Sequence, residues 1–140
     1  GYKKALEKNQ IPFDKNLVYT CVRVSFEEGY AFAKEICENH PDVDGIFVIT
    51  DLVAVGVLAY LNEHHIKVPE QIAVIGFSNW FMSQVIQPKL STVDQPSYEM
   101  GVSAFNLLLK EIKAVKEEQP KVIENVVLDT QIIVRESTKK

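Results

Sequence analysis

The fold of this chain is decided by two stretches, Gly45–Ile49 (GIFVI) and Ile72–Gly76 (IAVIG). Both are continuous apolar runs rather than alternating ones, which is typical of strands that are covered on both faces. Leu17–Cys21 has a weaker strand pattern. Val122–Leu128 and Ile132–Val134 indicate two late strands.

Helical patterns lie between these strands. Ser25 and Glu28 have the spacing of a capping box, in which Ser25 accepts the Glu28 amide and Glu28 reaches back to the start of the helix. Asp51 suits the first turn of a second helix, where a carboxylate favours the free amides. A long helix follows Pro96, with apolar residues at helical spacing: Met100, Ala104, Leu107, Leu108, Ile112 and Val115.

The alternation of strands and helices predicts an α/β fold, with a doubly wound, mostly parallel sheet and flanking helices. Ligands of such sheets bind beyond the carboxyl ends of the strands. Two loops, at Thr50–Asp51 and Phe77–Asn79, leave such ends. We therefore expect a binding site there.

Composition narrows the function classes. The 140 residues are 46% apolar and 24% charged, with a net charge of −4. These values are ordinary for a soluble domain, and the negative charge argues against DNA binding by this segment. The apolar runs are far shorter than a membrane span and Gly1 opens no signal-peptide pattern, so no membrane partner is expected. Two distant cysteines suit a reducing cytosol.

No catalytic or metal site is expected. Gly76–Trp80 is close to the nucleophile-elbow motif around Ser78, but Trp80 replaces its second glycine and no histidine follows Ser78. His40, His64 and His65 lack metal-ligand spacing, and no phosphate-binding glycine motif is present, so no cofactor is expected. The role of Trp80 and Phe81 is left open: they line a ligand cleft or an interface, or one of the two rings packs under its own loop.

An ordered set of motifs covers nearly the whole chain. The motifs are Phe47–Gly56 (FVITDLVAVG), Val68–Phe77 (VPEQIAVIGF), Pro88–Pro96 (PKLSTVDQP) and Val134–Thr138 (VREST). Together they resemble the C-terminal half of transcription repressors of the LacI/GalR family.

This resemblance implies a partial effector-binding and dimerisation domain with a periplasmic binding protein-like fold. Residues 1–93 and 122–140 would form the C-terminal lobe, and residues 94–121 the crossover and a helix of the N-terminal lobe. The family implies a cytoplasmic transcription regulator whose lobes close on a small effector, with a sugar as the expected class. DNA would be bound through a helix-turn-helix domain that this chain lacks.

The resemblance also implies residue roles. Effector contacts fall on Val24, Thr50, Ser78 and Gln95. The family often has an aromatic residue, Asn and Asp at the first three of these positions, so a changed ligand is expected.

Homodimer contacts of the family fall on Val55 and Ile86. For Val55 a place in the core is the alternative reading. Because Val85 and Ile86 are adjacent, one of the two is expected to face inward.

Two alternatives remain at this point. The first is half of a periplasmic sugar-binding protein of a transporter, which a signal peptide upstream would favour. The second is a small α/β enzyme, which the lack of a converging acid, base and nucleophile disfavours.

The resemblance further implies a strand before Gly1 that lies inside the sheet. Without it, we expect an open strand edge and an exposed stripe on the helix after Pro96, which another piece or a partner chain would cover.

Overall fold

A computed structural model describes residues 1–120 and 123–139 of the chain. Its helices are α1 (Tyr2–Lys8), α2 (Phe26–Asn39), α3 (Asp51–Glu63), α4 (Met82–Val85) and α5 (Ser97–Lys116). Its strands are β1 (Gly45–Phe47), β2 (Ala73–Phe77), β3 (Ser91–Asp94) and β4 (Gln131–Ile133). Short 3-10 turns lie at Lys15–Leu17 and Glu136–Thr138.

The four strands form one sheet in the order β1-β2-β3-β4. β1 and β2 are parallel, with Ile46 beside Val74, and β2 and β3 are parallel, with Phe77 beside Val93. β4 returns antiparallel to β3, so that Asp94 is paired with Gln131. The predicted doubly wound, mostly parallel sheet with flanking helices is therefore confirmed.

The core lies between this sheet and the α2–α3 pair, around Val57, Leu61, Val74 and Leu90. The two helices approach each other closely at two glycines. A Cβ on Gly29 would overlap the carbonyl group of Val53, and one on Gly56 would overlap that of Phe26. The glycines thus let backbone pack on backbone and fix the position of the α3 N-terminus.

Polar side chains begin both helices. The Ser25 hydroxyl accepts the Glu28 amide at 3.3 Å, as the capping box predicts. The Glu28 carboxylate does not complete the box, however. It accepts the amides of Val22 and Arg23 instead, at 2.8 and 2.9 Å.

Two predicted strands are wrong. Lys15–Leu17 is a 3-10 turn and residues 18–21 are irregular, in place of a strand at Leu17–Cys21. Residues 123–128 belong to no helix or strand, while Val122 and the predicted lobe boundary at 121–122 lie outside the described residues. Both stretches lack a neighbouring strand with which to pair, and their apolar composition alone does not supply the ladder.

An open cleft and an exposed helix explain much of the apolar surface. A cleft of about 550 Å³ separates β1 from residues 17–21, with Tyr19 and Phe47 among its lining residues. β1 has a paired strand on one side only within the described residues. On α5, which is described in full, no side chain is buried, and Leu108 is 53% exposed. The expected open edge and exposed stripe are present, and what covers them stays a prediction.

Candidate functional site

Thr50, Ser78 and Gln95 lie at one edge of the sheet, where β1, β2 and β3 end. Thr50 is the N-cap of α3, and its hydroxyl accepts the Val53 amide at 3.3 Å. Ser78 directly follows β2, is exposed, and donates its amide to the Val93 carbonyl at 2.9 Å. Gln95 directly follows β3 and is half-buried. The carboxyl edge therefore presents two hydroxyls and one amide side chain.

The fully buried carboxylate of Asp51 joins these loops. Its Oδ1 accepts the Thr92 hydroxyl and its Oδ2 accepts the Trp80 amide, both at 2.7 Å. A Cβ on Gly76 would overlap Oδ1, so a glycine at this point of β2 makes room for the carboxylate. The helix N-terminus adds a favourable dipole at Asp51. The Asp51 carboxylate thereby fixes the loops after β1 and β2 relative to each other.

A second polar group surrounds the Asn79 side chain. Asn79 Nδ2 donates to Asp94 Oδ1 at 2.8 Å, and Asn79 Oδ1 accepts Arg135 Nη2 at 2.6 Å. The Asn79 amide donates to the Thr92 hydroxyl at 3.2 Å. The loop after β2 is thus tied to β3 and to the segment that follows β4.

Positive φ angles occur at this edge, as they also do at Gln10, His65 and Glu118. Val24, Ser78 and Asn79 have φ angles of 48°, 114° and 49°. A β-branched residue such as Val rarely adopts a positive φ, and the angle of Ser78 is one that favours glycine. Strained residues that are held by surrounding hydrogen bonds are common at ligand sites, where the strain sets the direction of a side chain.

Val24 approaches the edge from α2. It precedes the N-cap Ser25, and the first turns of α2 pack on the first half of α3, which places Val24 on the Thr50 side of the molecule. Because the amides of Val22 and Arg23 donate to Glu28, the pKa of the Glu28 carboxyl lies below its usual range. The same two bonds hold the turn that presents Val24, whose side chain is exposed.

Phe81 is 65% exposed and Trp80 is 45% exposed. Phe81 is therefore available to a ligand or an interface, whereas more than half of Trp80 is covered. Their position after β2 puts them beside Ser78.

Val55 and Ile86 differ in their surroundings. Val55 is half-buried on α3 and does not belong to the hydrophobic core cluster, whereas Ile86 packs against that cluster. The adjacent Val85 is 57% exposed. The surface of α3 at Val55 is therefore free for an interface, and of the pair after α4 it is Val85 that faces outward.

His64 lies far from Ser78. His64 caps the C-terminus of α3, whose 13 residues extend about 20 Å away from the carboxyl edge. Among residues 1–120 and 123–139, no three His, Cys, Asp or Glu side chains are grouped to hold a metal ion. Over the same residues, every helix is too short or too polar to cross a lipid bilayer.

The chain is similar to proteins with this fold. A family model described as "periplasmic binding protein-like domain" matches residues 1–138. HTH-type transcriptional regulator RegA of Clostridium acetobutylicum is 34% identical over 140 residues, which are 99% of this chain and 40% of RegA.

Two solved structures show the same likeness. Transcription regulator CcpA of Lactococcus lactis superposes with a TM-score of 0.83 at 34% identity, covering 99% of this chain and 48% of CcpA. A LacI family regulator of Enterococcus faecium with bound ribose has a TM-score of 0.82 at 32% identity, covering 98% of this chain and 48% of that one.

The chain belongs to the periplasmic binding protein-like domain family, and its resemblance to the C-terminal region of LacI-family regulators is confirmed. It spans less than half the length of these relatives. They are described as transcriptional regulators and not as enzymes.

Sequence reasoning missed the residues that hold the edge together. Thr92 and Asp94 were recognised as parts of a motif, and Arg135 as part of the chain ending, without a role for any of them. No local pattern indicates these roles, because residues 91–94 form a strand that the sequence does not predict and their partners are distant in the sequence.

Proposed function

We propose that this chain is the effector-binding region of a LacI/GalR-type transcription regulator, and that it senses a sugar at the carboxyl edge of its sheet. Thr50, Ser78 and Gln95 contact the sugar, and Val24 covers one side of it. The function rests above all on the Asp51 arrangement, which fixes these polar loops at the edge where α/β sheets bind ligands. The ribose bound to the Enterococcus faecium relative supports the ligand class.

The side chains present suit a neutral polyol. Hydroxyl and amide groups both donate and accept hydrogen bonds, which matches sugar hydroxyls without adding a charge. Trp80 and Phe81 offer exposed rings beside Ser78, on which an apolar sugar face packs. Ser78 stands where the family usually has an aspartate, so we expect a different pattern of hydroxyl recognition from that of the common family ligands.

The proposed regulation of DNA binding depends on the path of the chain between β3 and β4. The chain leaves the sheet after β3 into α5 and returns through β4, so a second lobe closing on the sugar moves these two segments. We propose that this closure shifts a homodimer between DNA-competent and incompetent geometries, with DNA bound by a helix-turn-helix domain outside this chain in the cytoplasm.

The test is an NMR titration of the ¹⁵N-labelled chain with ribose. We expect shifts at the amides of Thr50, Ser78 and Gln95, with a dissociation constant no tighter than about 1 mM, near −4 kcal/mol, because a single lobe buries only part of a ligand. Ser78→Ala is expected to weaken the response, and Glu70→Ala, at an exposed position shortly before β2 and therefore at the opposite edge of the sheet, is the control.

Three outcomes contradict the proposal. Shifts that map away from the carboxyl edge contradict the site. A lack of shifts at about 100 mM ribose, glucose and sucrose alike contradicts the sugar class. Micromolar binding by this chain alone contradicts the need for a second lobe.

A further inference from the structure

We propose that Arg135 is the positioning residue of the Ser78 loop, which it holds against the segment after β4. The inference rests on the proposed function for the meaning of that loop, but not for its test. Arg135 lies two residues after the end of β4 and is half-buried.

The guanidinium joins three separate parts of the chain. Its Nη2 donates to Asn79 Oδ1 at 2.6 Å. Its Nη1 donates to the Leu90 carbonyl at 2.7 Å and to the Ser83 hydroxyl at 3.1 Å. A planar fork with donors in fixed directions reaches these acceptors together, whereas the single ammonium of a lysine does not.

The backbone of Arg135 is fixed independently of its side chain. Its amide donates to the Ser91 hydroxyl at 2.7 Å, and the Ser137 hydroxyl donates to the Val74 carbonyl at 2.6 Å. The segment after β4 is thereby anchored on β2 and β3. The backbone from which the guanidinium extends is therefore held in place by hydrogen bonds.

The Asn79 side chain links the Arg135 guanidinium to the end of β3. It is also held by Asp94, the last residue of β3, so one amide group contacts both the outgoing and the returning crossover segments. Ser78 has an unfavourable positive φ angle, which persists only where surrounding bonds impose it, whereas Asn79 lies in the left-handed region that asparagine tolerates. Loss of the Arg135 contact therefore removes one of the bonds that fix the Asn79 side chain and, with it, the direction of the adjacent Ser78 hydroxyl.

Three consecutive amides report the state of this loop. The amides of Ser78, Asn79 and Trp80 donate to the Val93 carbonyl, the Thr92 hydroxyl and Asp51 Oδ2. Trp80 is also the single tryptophan of the chain. Native-state hydrogen exchange and tryptophan emission therefore measure the loop without any ligand.

The experiment compares Arg135→Lys with Arg23→Lys in the full chain. Arg23 is the other arginine of the sequence, and its exposed side chain makes it a matched control. With Arg135→Lys we expect at least tenfold faster exchange at the three loop amides and a shift in Trp80 emission, while core amides of α3 exchange as in the unmodified chain. Arg23→Lys is expected to change neither.

A double variant tests the route through Asn79. In an Asn79→Ala background, Arg135→Lys is expected to add less than a threefold further change at the loop amides, because their shared contact is already lost. Equal acceleration at the α3 amides and the loop would mean that Arg135 only stabilises the whole fold, and it would overturn the proposal. Unchanged exchange at the three loop amides in Arg135→Lys would also overturn the proposal. Failure of ribose to bind would instead count against the proposed function and leave these ligand-free results as they stand.

Discussion

Gly76→Ala should be among the most damaging single-methyl changes in the chain. The added Cβ would overlap Asp51 Oδ1 and lie 3.3 Å from Asp51 Cγ and 3.0 Å from Leu90 Cδ2. Leu90 is fully buried and leaves little room to move. The carboxylate is therefore the group that must shift, and it is held by two hydrogen bonds of 2.7 Å.

The magnitude follows from those bonds. A hydrogen bond to a charged group contributes about 1.5–3 kcal/mol, so the loss of both lowers the free energy of unfolding by about 3–6 kcal/mol. Gly45→Ala is the matched control, because its nearest neighbour would be the Ala73 carbonyl oxygen at 3.9 Å, an ordinary contact. We expect that control to change stability by less than about 1 kcal/mol.

Urea unfolding followed by circular dichroism and Trp80 fluorescence measures both variants. With a denaturant slope of about 2 kcal/mol per molar, Gly76→Ala should lower the midpoint by about 1.5–3 M. In an Asp51→Ala background the same change should cost much less, because the overlapping oxygen is gone. A loss below about 1 kcal/mol for Gly76→Ala, or full additivity with Asp51→Ala, would refute the steric account.

Two further predictions concern Glu28 and Val55. Because the Val22 and Arg23 amides lower the pKa of Glu28, its stabilising contribution is present above the ordinary glutamate pKa of about 4.3 and is lost as the pH falls through the lower folded-state pKa. The difference in free energy of unfolding between the unmodified chain and Glu28→Gln should therefore shrink on acidification, as measured by urea titrations. A difference that stays constant with pH would contradict this prediction. Glu35→Gln on the same helix is the control. Val55→Asp should dissociate a homodimer by placing an unpaired charge in the contact, measured by light scattering, whereas Val127→Asp at a fully exposed position should not; an unchanged dimer with Val55→Asp would place the contact elsewhere.

The sequence predicts the positions of β1, β2 and their helices well because their signals are local, although β1 is exposed in the structure rather than covered on both faces. β1 and β2 are continuous apolar runs, and the Ser25 capping box and the Asp51 carboxylate mark two helix starts that the structure places at Phe26 and Asp51. The strand at residues 91–94 was missed because Ser91 and Thr92 are buried polar residues, and their burial depends on the hydrogen bonds that they donate to Ser137 and to Asp51. Such partners are distant in sequence, so no local pattern indicates them.

The sequence predicts where the candidate site lies but not which hydrogen bonds hold it together. Thr50 and Ser78 follow strand ends, which is sufficient to place them at the carboxyl edge. Several of the bonds that hold these loops join residues far apart in sequence, such as Asp51 with Trp80, which are 29 positions apart, and Asn79 with Arg135, which are 56 positions apart. A single sequence contains both partners of each bond but nothing that pairs them.

The antiparallel pairing of Asp94 with Gln131 has a mechanical consequence. Partners in such a pair lie about 5 Å apart, so the whole excursion through α5 departs from and rejoins the sheet at nearly one point. The residues between β3 and β4 therefore form an insertion that two adjacent strands connect to the sheet. The hydrogen bonds between these strands resist sliding of one along the other, but the pair can twist and bend. Whatever contacts α5 is therefore connected to the sheet at one place, beside Asp94 and Gln131.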